Sequence, residues 1–199
     1  MVADNGGASC VSGGLLTLAI CKPMIRRMAK AGSLIFGFGG KHYGEKLIYI
    51  AKVTEKLQSG DYYRQTKYIQ RRDCIYHEVD GKPKIKTDAR FHDKGDQLEH
   101  DVGLNFERAN VLISNEFRYL GKQGTADYKN DFPHIKELIE SFNRGHRVNY
   151  SPEVYAELEK FKAQVWNDFS PNFKGEPTDS DSTKICSDSS GSCRCESSK

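Results

Sequence analysis

A short segment near the start of the chain groups a thiol with three cations. Cys21 is followed directly by Lys22 and Pro23, and Arg26 and Arg27 lie within the next turn. Because proline is favoured in the first turn of a helix, Pro23 predicts a helix with Lys22 at its positive end. Free N–H groups beside three cations are typical of a pocket for phosphate or carboxylate. The alternative is a solvated, basic helix face.

The same segment contains a candidate nucleophile. The positive field at the start of this helix would make the Cys21 thiol more reactive. Further along the chain, His92 and Asp101 could form a general acid–base pair, because they lie among many ionisable groups in a stretch without regular patterning. The alternatives are a buried structural thiol and a histidine whose polar groups are satisfied within a loop.

Two further stretches have the composition of a nucleotide contact. GFGGKHYG lacks the GxGxxG spacing and lies between two apolar runs, which favours a flexible hairpin connection. In the functional interpretation, its backbone approaches a base or phosphate and Lys41 reaches over it. Residues 62–76 interleave tyrosines with Lys and Arg, as stacking on flipped or single-stranded bases requires. Tyr62 and Tyr63 are the candidate stacking rings, although half-buried tyrosines packed on a sheet would show the same pattern.

Hydrophobic patterns predict the elements that must position these residues. LLTLAIC favours a strand, the helix from Pro23 should end at Gly32, and SLIFGF with LIYIAKV favours a hairpin. A short helix and a loop follow, and residues 73–103 predict an irregular loop. NVLISNEFRYL favours one or two strands.

The last part of the folded region is predicted to be helical. Asp131 is the expected N-cap of a helix through HIKELIESFN, which should stop at Gly145. Ser151 and Pro152 predict the start of a final helix that reaches about Phe169. The predicted fold is α+β, with a small mixed or barrel-like sheet flanked by helices, two of them C-terminal.

Composition restricts the possible classes of protein. The 199 residues carry a net charge of +3 and contain six cysteines. No apolar run is long enough to span a membrane, and the start of the chain is a poor signal peptide, so we expect a cytoplasmic protein without a membrane partner. The cysteine and histidine spacings match no metal site, and no metal or cofactor is predicted.

The C-terminal end differs in composition from the rest of the chain. Residues 176–199 contain eight serines and three cysteines and no aromatic residue, which favours a disordered tail behind a single domain at 1–175. The tail carries three basic and five acidic residues, so the domain itself has a net charge of +5. A moderately basic, aromatic-rich domain is compatible with a nucleotide ligand.

These motifs resemble the second type of nucleotide-modification-associated domain, over roughly residues 3–168. The resemblance rests on LLTLAICKPMIRRMAKAGSLIFGFGG, LIYIAKVTEKLQSGDYY, the stretch from His92 to Asp101, and DVGLNFERANVLISNEFRYLG. Members are small bacterial and phage domains linked to modified nucleotides in DNA. The characteristic positions of the family correspond here to Cys21, Lys22, Pro23, Ile25, Arg26, His92, Asp101, Ser114 and Phe117. The element order is also similar to that of PUA-like and EVE-like base-binding barrels.

Two departures from the family pattern bear on the interpretation. Ser33 stands where members usually carry an aspartate, so this chain lacks that carboxylate. Members also usually begin with an additional strand. A chain truncated there would expose a sheet edge on which a second copy could pair to form a homo-oligomer.

The sequence supports three hypotheses. In the first, the domain binds a modified nucleotide or base. Tyr62 or Tyr63 would stack on the base, and the residues that bind the ligand and its phosphate would be Lys22, Arg26, Arg27, Lys41 and Ser114. In the second, it is a nucleotide- or DNA-modifying enzyme that uses Cys21 or the His92–Asp101 pair. In the third, it is a protein-interaction module whose cations are solvated. Convergence of Cys21, Arg26, His92 and Asp101 in one cleft would favour the enzyme.

Overall fold

The computed structural model describes residues 9–89, 92, 95–142 and 145–170; the predicted tail at 176–199 lies outside them. The strands in this part are β1 (Cys10–Ser12), β2 (Leu15–Leu18), β3 (Leu34–Phe38), β4 (Leu47–Lys52), β5 (Glu55–Leu57), β6 (Tyr76–Val79), β7 (Lys82–Ile85), β8 (Val111–Ser114) and β9 (Glu116–Tyr119). The helices are α1 (Pro23–Met28), α2 (Asp61–Arg64), α3 (Thr66–Ile69), α4 (Gly95–Val102), α5 (Tyr128–Asp131), α6 (Pro133–Glu140) and α7 (Pro152–Asp168).

The strands form three antiparallel sheets. The first has the order β1-β2-β8-β5, the second β3-β4-β9, and the third is the β6–β7 hairpin. The first two sheets are joined at Asn115, where the chain passes from β8 into β9. The predicted α+β class is confirmed. The pairings are antiparallel rather than mixed, and the described strands close no barrel.

Separate apolar clusters cover the two larger sheets. Helices α5, α6 and α7 pack on the second sheet around Leu47, Ile50 and the buried ring of Phe161. A second cluster is rich in buried tyrosines and links the first sheet to α2, α3 and α4, with Phe106 at its centre. The tyrosine-rich cluster supports the segments that carry the candidate site. No helix in the described ranges is both long and apolar enough to cross a membrane.

The stretch at 73–103 is more regular than predicted. Asp80 and Gly81 form a two-residue turn with φ of 52° and 75°, which is the geometry of a type I′ hairpin and lets β6 pair with β7. Helix α4 then follows and contains Asp101 in its last turn. The prediction of an irregular loop was wrong because the Asp–Gly hairpin signal outweighs the polar composition of its flanks.

Two helix boundaries also differ from the predictions. Helix α1 ends at Met28 because Ala29 is already extended, well before Gly32. Asp131 lies in α5, and the N-cap of α6 is Phe132. At the last helix the prediction is confirmed, since the Ser151 hydroxyl accepts a hydrogen bond of 3.4 Å from the Val154 N–H.

Candidate active site

Cys21 lies at a tight turn between a strand and a helix. The chain leaves β2, passes through buried Ala19 and Ile20, and enters α1 at Pro23. Cys21 and Lys22 have φ of 56° and 47°, so two successive non-glycine residues adopt the left-handed conformation. Such residues cost on the order of 1–3 kcal/mol each, and surrounding contacts must hold them in place. A strained strand–turn–helix elbow is a recurrent way to present a nucleophile.

The thiol at this elbow contacts an imidazole. The Cys21 Sγ lies 3.2 Å from the Nε2 of His92, and the Nδ1 of His92 lies 2.5 Å from the Oδ2 of Asp101. The three residues come from separate elements, because Cys21 precedes α1, His92 precedes α4 and Asp101 lies near the end of α4. The arrangement is that of a Cys–His–Asp triad, in which the histidine contacts the nucleophile and the carboxylate orients the histidine.

Both oxygens of Asp101 are satisfied by neighbours. Its Oδ1 accepts hydrogen bonds from the Cys21 N–H at 2.9 Å and from the Arg26 guanidinium at 3.3 Å. Its Oδ2 accepts one from the Tyr76 hydroxyl at 2.9 Å and contacts His92. Asp101 is only 2% exposed, so these partners replace water entirely. The carboxylate therefore fixes the Cys21 backbone and the His92 imidazole together.

The ionisation of Asp101 reflects two opposing effects. Burial raises the pKa of its carboxyl group, whereas the hydrogen bond and charge of His92, together with the charge of Arg26, lower it. The lowering prevails, and the pKa lies below the ordinary value of 3.8. Asp101 is thus a carboxylate at neutral pH and can accept the Nδ1–H of His92.

This pKa predicts an acid dependence of stability. The ionised Asp101 stabilises the folded state at pH values above 3.8, and this contribution is lost as the pH falls through the lower folded-state pKa. Urea unfolding of the wild type and of Asp101→Asn should therefore differ most at neutral pH and converge only as the pH falls below 3.8, through the lower folded-state pKa. A difference that stays constant from neutral to acid pH would contradict the assignment.

Arg26 is too deeply buried to bind the phosphate of a substrate. Its side chain is 1% exposed and its guanidinium bonds Cys21, Asp101 and Asn110. The prediction that Arg26 binds phosphate is therefore corrected: the residue is part of the support beneath the elbow. Lys22 and Arg27 are exposed on the outer side of the same segment and have no ion pair among the described residues.

The candidate stacking rings also face inward. Tyr62 is 0% exposed and Tyr63 is 3% exposed; they pack against each other with ring centroids 5.3 Å apart. The Tyr62 hydroxyl donates to Asp73, and the Tyr63 hydroxyl donates to the Ala19 carbonyl just before the elbow. Neither ring can stack on a base in this structure, so that prediction is corrected. The tyrosine pattern indicates a core packed on a sheet.

The remaining candidates fall outside the triad. Ser114 is buried at the end of β8, where its hydroxyl bonds the backbone of Glu116. Lys41 is exposed in a 3₁₀ turn between β3 and β4. Neither residue contacts Cys21, His92 or Asp101 through a hydrogen bond in the described part of the chain.

Sequence reasoning missed the place of Tyr76 in this site. The tyrosine pattern suggested either a ring that stacks on a base or a tyrosine packed on the sheet, but not a ligand of Asp101, which its hydroxyl binds from strand β6. Burial and the neighbouring charge of Asp101 raise its pKa, so the phenol keeps its proton and remains a donor. The signal that could have found it is the Asp–Gly turn, which makes residues 76–79 a strand and directs alternate side chains inward.

The donor set around Cys21 favours nucleophilic chemistry. A thiol, an imidazole and a carboxylate in series suit proton removal from sulfur and attack on an electrophilic carbon. Among the residues that the structure describes, no cluster of three or more His, Cys, Asp or Glu side chains could hold a metal ion.

Comparison with known proteins agrees with the sequence motifs. A family model described as nucleotide modification associated domain 2 matches residues 1–184, which confirms the resemblance drawn from the motifs. Searches of curated proteins and of solved structures found no match. Because the family model spans nearly all of the chain, the protein belongs to the family of nucleotide modification associated domain 2.

Proposed function

We propose that the chain is an enzyme that modifies a nucleotide, or a base within nucleic acid, with Cys21 as its nucleophile. The observation that carries the proposal is the 3.2 Å contact between the Cys21 sulfur and the His92 Nε2. Membership of a family associated with nucleotide modification supports a nucleotide as the substrate class. A structural thiol has no need of an oriented imidazole, whereas a nucleophile does.

The proposed reaction proceeds in two halves. His92 Nε2 takes the thiol proton as the sulfur bonds to an electrophilic carbon of the substrate, and Asp101 stabilises the resulting imidazolium. The leaving group takes this proton from His92 as its bond to the carbon breaks. Water or a second acceptor then attacks the same carbon while His92 removes the acceptor's proton. The sulfur–carbon bond breaks, and His92 gives this proton to the departing sulfur, which regenerates the thiol and the neutral imidazole. A carbonyl carbon on the base or its substituent is the preferred electrophile, because acyl transfer follows this course.

Exposed cations beside the elbow would hold the phosphate of the substrate. Lys22 is adjacent to Cys21, and Arg27 follows on the exposed side of α1. Both cations are available for an anion, since neither is ion-paired within the described residues. Lys41 lies in a separate 3₁₀ turn at the surface. It would contact only a substrate in which a nucleic acid chain extends beyond Cys21 and Lys22.

A binding module without turnover is the second candidate. The exposed Lys22 and Arg27 favour it, because cations suffice for phosphate recognition. The aromatic rings predicted to stack on the base cannot reach a ligand, because Tyr62 and Tyr63 are buried. The enzyme accounts for the Cys21–His92 contact and the binding module does not, so we prefer the enzyme.

The experiment that separates these candidates is a substrate screen by mass spectrometry. Wild type, Cys21→Ala and Cys74→Ala are incubated with modified and unmodified nucleotides and short oligonucleotides, and products are measured together with intact protein mass. We expect product with wild type and with Cys74→Ala, which removes a buried thiol 3.6 Å from the Lys86 Nζ, and none with Cys21→Ala. Turnover by Cys21→Ala would contradict the enzyme proposal, and ligand binding without turnover would favour the binding module.

We extend the proposal to localisation and assembly. Cys21 and Cys74 are free thiols, which suits the reducing cytoplasm. Strand β1 is at one edge of the first sheet, where a second copy could pair. Light scattering over a range of protein concentrations tests this: a mass that stays monomeric throughout would contradict it.

A further inference from the structure

Arg26 is a fully buried arginine directly beneath the nucleophile. All five of its N–H groups are used: Nε donates to the Cys21 carbonyl at 2.7 Å, and Nη1 donates to the carbonyls of Asp101 and Asn110 at 3.1 and 2.9 Å. Nη2 donates to the Asp101 carbonyl at 3.0 Å and to its Oδ1 at 3.3 Å. One guanidinium thus connects the elbow, the end of α4 and the segment before β8.

The Arg26–Asp101 ion pair also binds both backbone groups of the nucleophile. The Cys21 N–H donates to Asp101 at 2.9 Å, while the Cys21 carbonyl accepts from Arg26 at 2.7 Å. These bonds are made in a residue whose φ of 56° is unfavourable without them. The direction of the sulfur depends on this backbone conformation, because Cβ is fixed by φ and ψ.

We propose that Arg26 is a positioning residue that, with Asp101, clamps Cys21 in its left-handed conformation and so aims the sulfur at His92. The proposal rests on the proposed function for its catalytic meaning. Lysine cannot replace Arg26, because an ammonium group has three donors at one point and cannot span the planar set of five acceptor contacts. Arg26 would act through Cys21 and touch no substrate.

Arg71, whose side chain is 8% exposed, provides a matched control. Arg71 donates to the carbonyls of Ser12 and Cys10 at 2.7 and 3.1 Å and pairs with Asp73 at 3.6 Å. It holds the β1–β2 hairpin through the same kind of bonds, yet none of its bonds reaches the elbow. A merely structural arginine should behave like Arg71 when it is shortened to lysine.

The test compares Arg26→Lys with Arg71→Lys. Melting temperature reports stability, and peptide mapping after timed treatment with iodoacetamide reports the alkylation rate of Cys21. We expect both variants to melt lower, but only Arg26→Lys to alkylate more slowly, by roughly tenfold or more, because small misplacements of a reacting atom are costly. An unchanged rate in folded Arg26→Lys, or an equal slowing in both variants, would overturn the inference.

Two further arms keep the test decisive. If Arg26→Lys does not fold alone, both rates are measured in a Lys22→Gly background, where glycine relieves left-handed strain next to Cys21. If Cys21 is alkylated as fast in the Lys22→Gly/Arg26→Lys double variant as in Lys22→Gly alone, the inference is also overturned. His92→Asn is run in parallel: an unchanged rate there counts against the proposed function, whereas an unchanged rate in Arg26→Lys alone counts only against the clamp.

Discussion

Replacing His92 with asparagine is expected to lower turnover by on the order of 10²–10⁴-fold, the range that a positioned general base contributes. Asparagine can still donate to Asp101 through its amide, so the carboxylate keeps a partner. It cannot act as the base for the thiol that the proposed mechanism assigns to the His92 Nε2, which lies 3.2 Å from the Cys21 sulfur. The fold should therefore survive while the chemistry is lost, as turnover and melting temperature measured on the same preparation would show.

His134 offers a matched control for this experiment. Its Nδ1 lies 2.6 Å from the Oε1 of Glu157, so it repeats the histidine–carboxylate contact at the surface between α6 and α7. The His134→Asn variant should keep full turnover, because the contacts of the His134 ring within the described part of the chain include no cysteine. Equal losses in His92→Asn and His134→Asn would contradict a specific role for His92.

Replacing Asp101 with alanine is expected to lower the free energy of unfolding by about 3–5 kcal/mol, because it leaves the buried charge of Arg26 without a counter-ion. It also removes the acceptor of the Cys21 N–H and of the Tyr76 hydroxyl. For a chain of this size, the loss corresponds to a fall in melting temperature of roughly 6–20 °C. Calorimetry or denaturant unfolding at neutral pH measures it.

The Asp73→Ala variant is a control that separates the loss of protein stability from the loss of Cys21 reactivity. It is 1% exposed and bonds Thr17, Tyr62 and Arg71, so Asp73→Ala should destabilise the fold to a similar extent. Only Asp101→Ala should also slow the alkylation of Cys21. A stable Asp101→Ala variant, or one with normal Cys21 reactivity, would contradict the role assigned to this carboxylate.

Local signals in the sequence were sufficient for much of the fold. Pro23 and Ser151 mark the starts of α1 and α7 because proline and serine act through contacts within one turn. The β3–β4 hairpin was predicted from two apolar runs and the glycines between them. The β6–β7 hairpin was missed, although the Asp80–Gly81 turn is an equally local signal.

The candidate site was predictable as a set of residue types, but its geometry was not. Cys21 and Asp101 are 80 residues apart, and only tertiary packing brings them within hydrogen-bond distance. Cations and tyrosines are ambiguous for a related reason. Arg26 and Tyr62 look like surface ligands in the sequence, yet their polar groups find buried partners, which no local pattern encodes.

The most direct test of an activated nucleophile is the intrinsic reactivity of Cys21. Wild-type protein and glutathione are treated with the same iodoacetamide concentration at neutral pH, and the rate at Cys21 is measured by peptide mapping. Because His92 lies 3.2 Å from the sulfur and can take the thiol proton during attack, we expect a Cys21 rate about tenfold or more above that of glutathione, lost in His92→Asn. A Cys21 rate equal to or below that of glutathione, and unchanged in His92→Asn, would contradict the account.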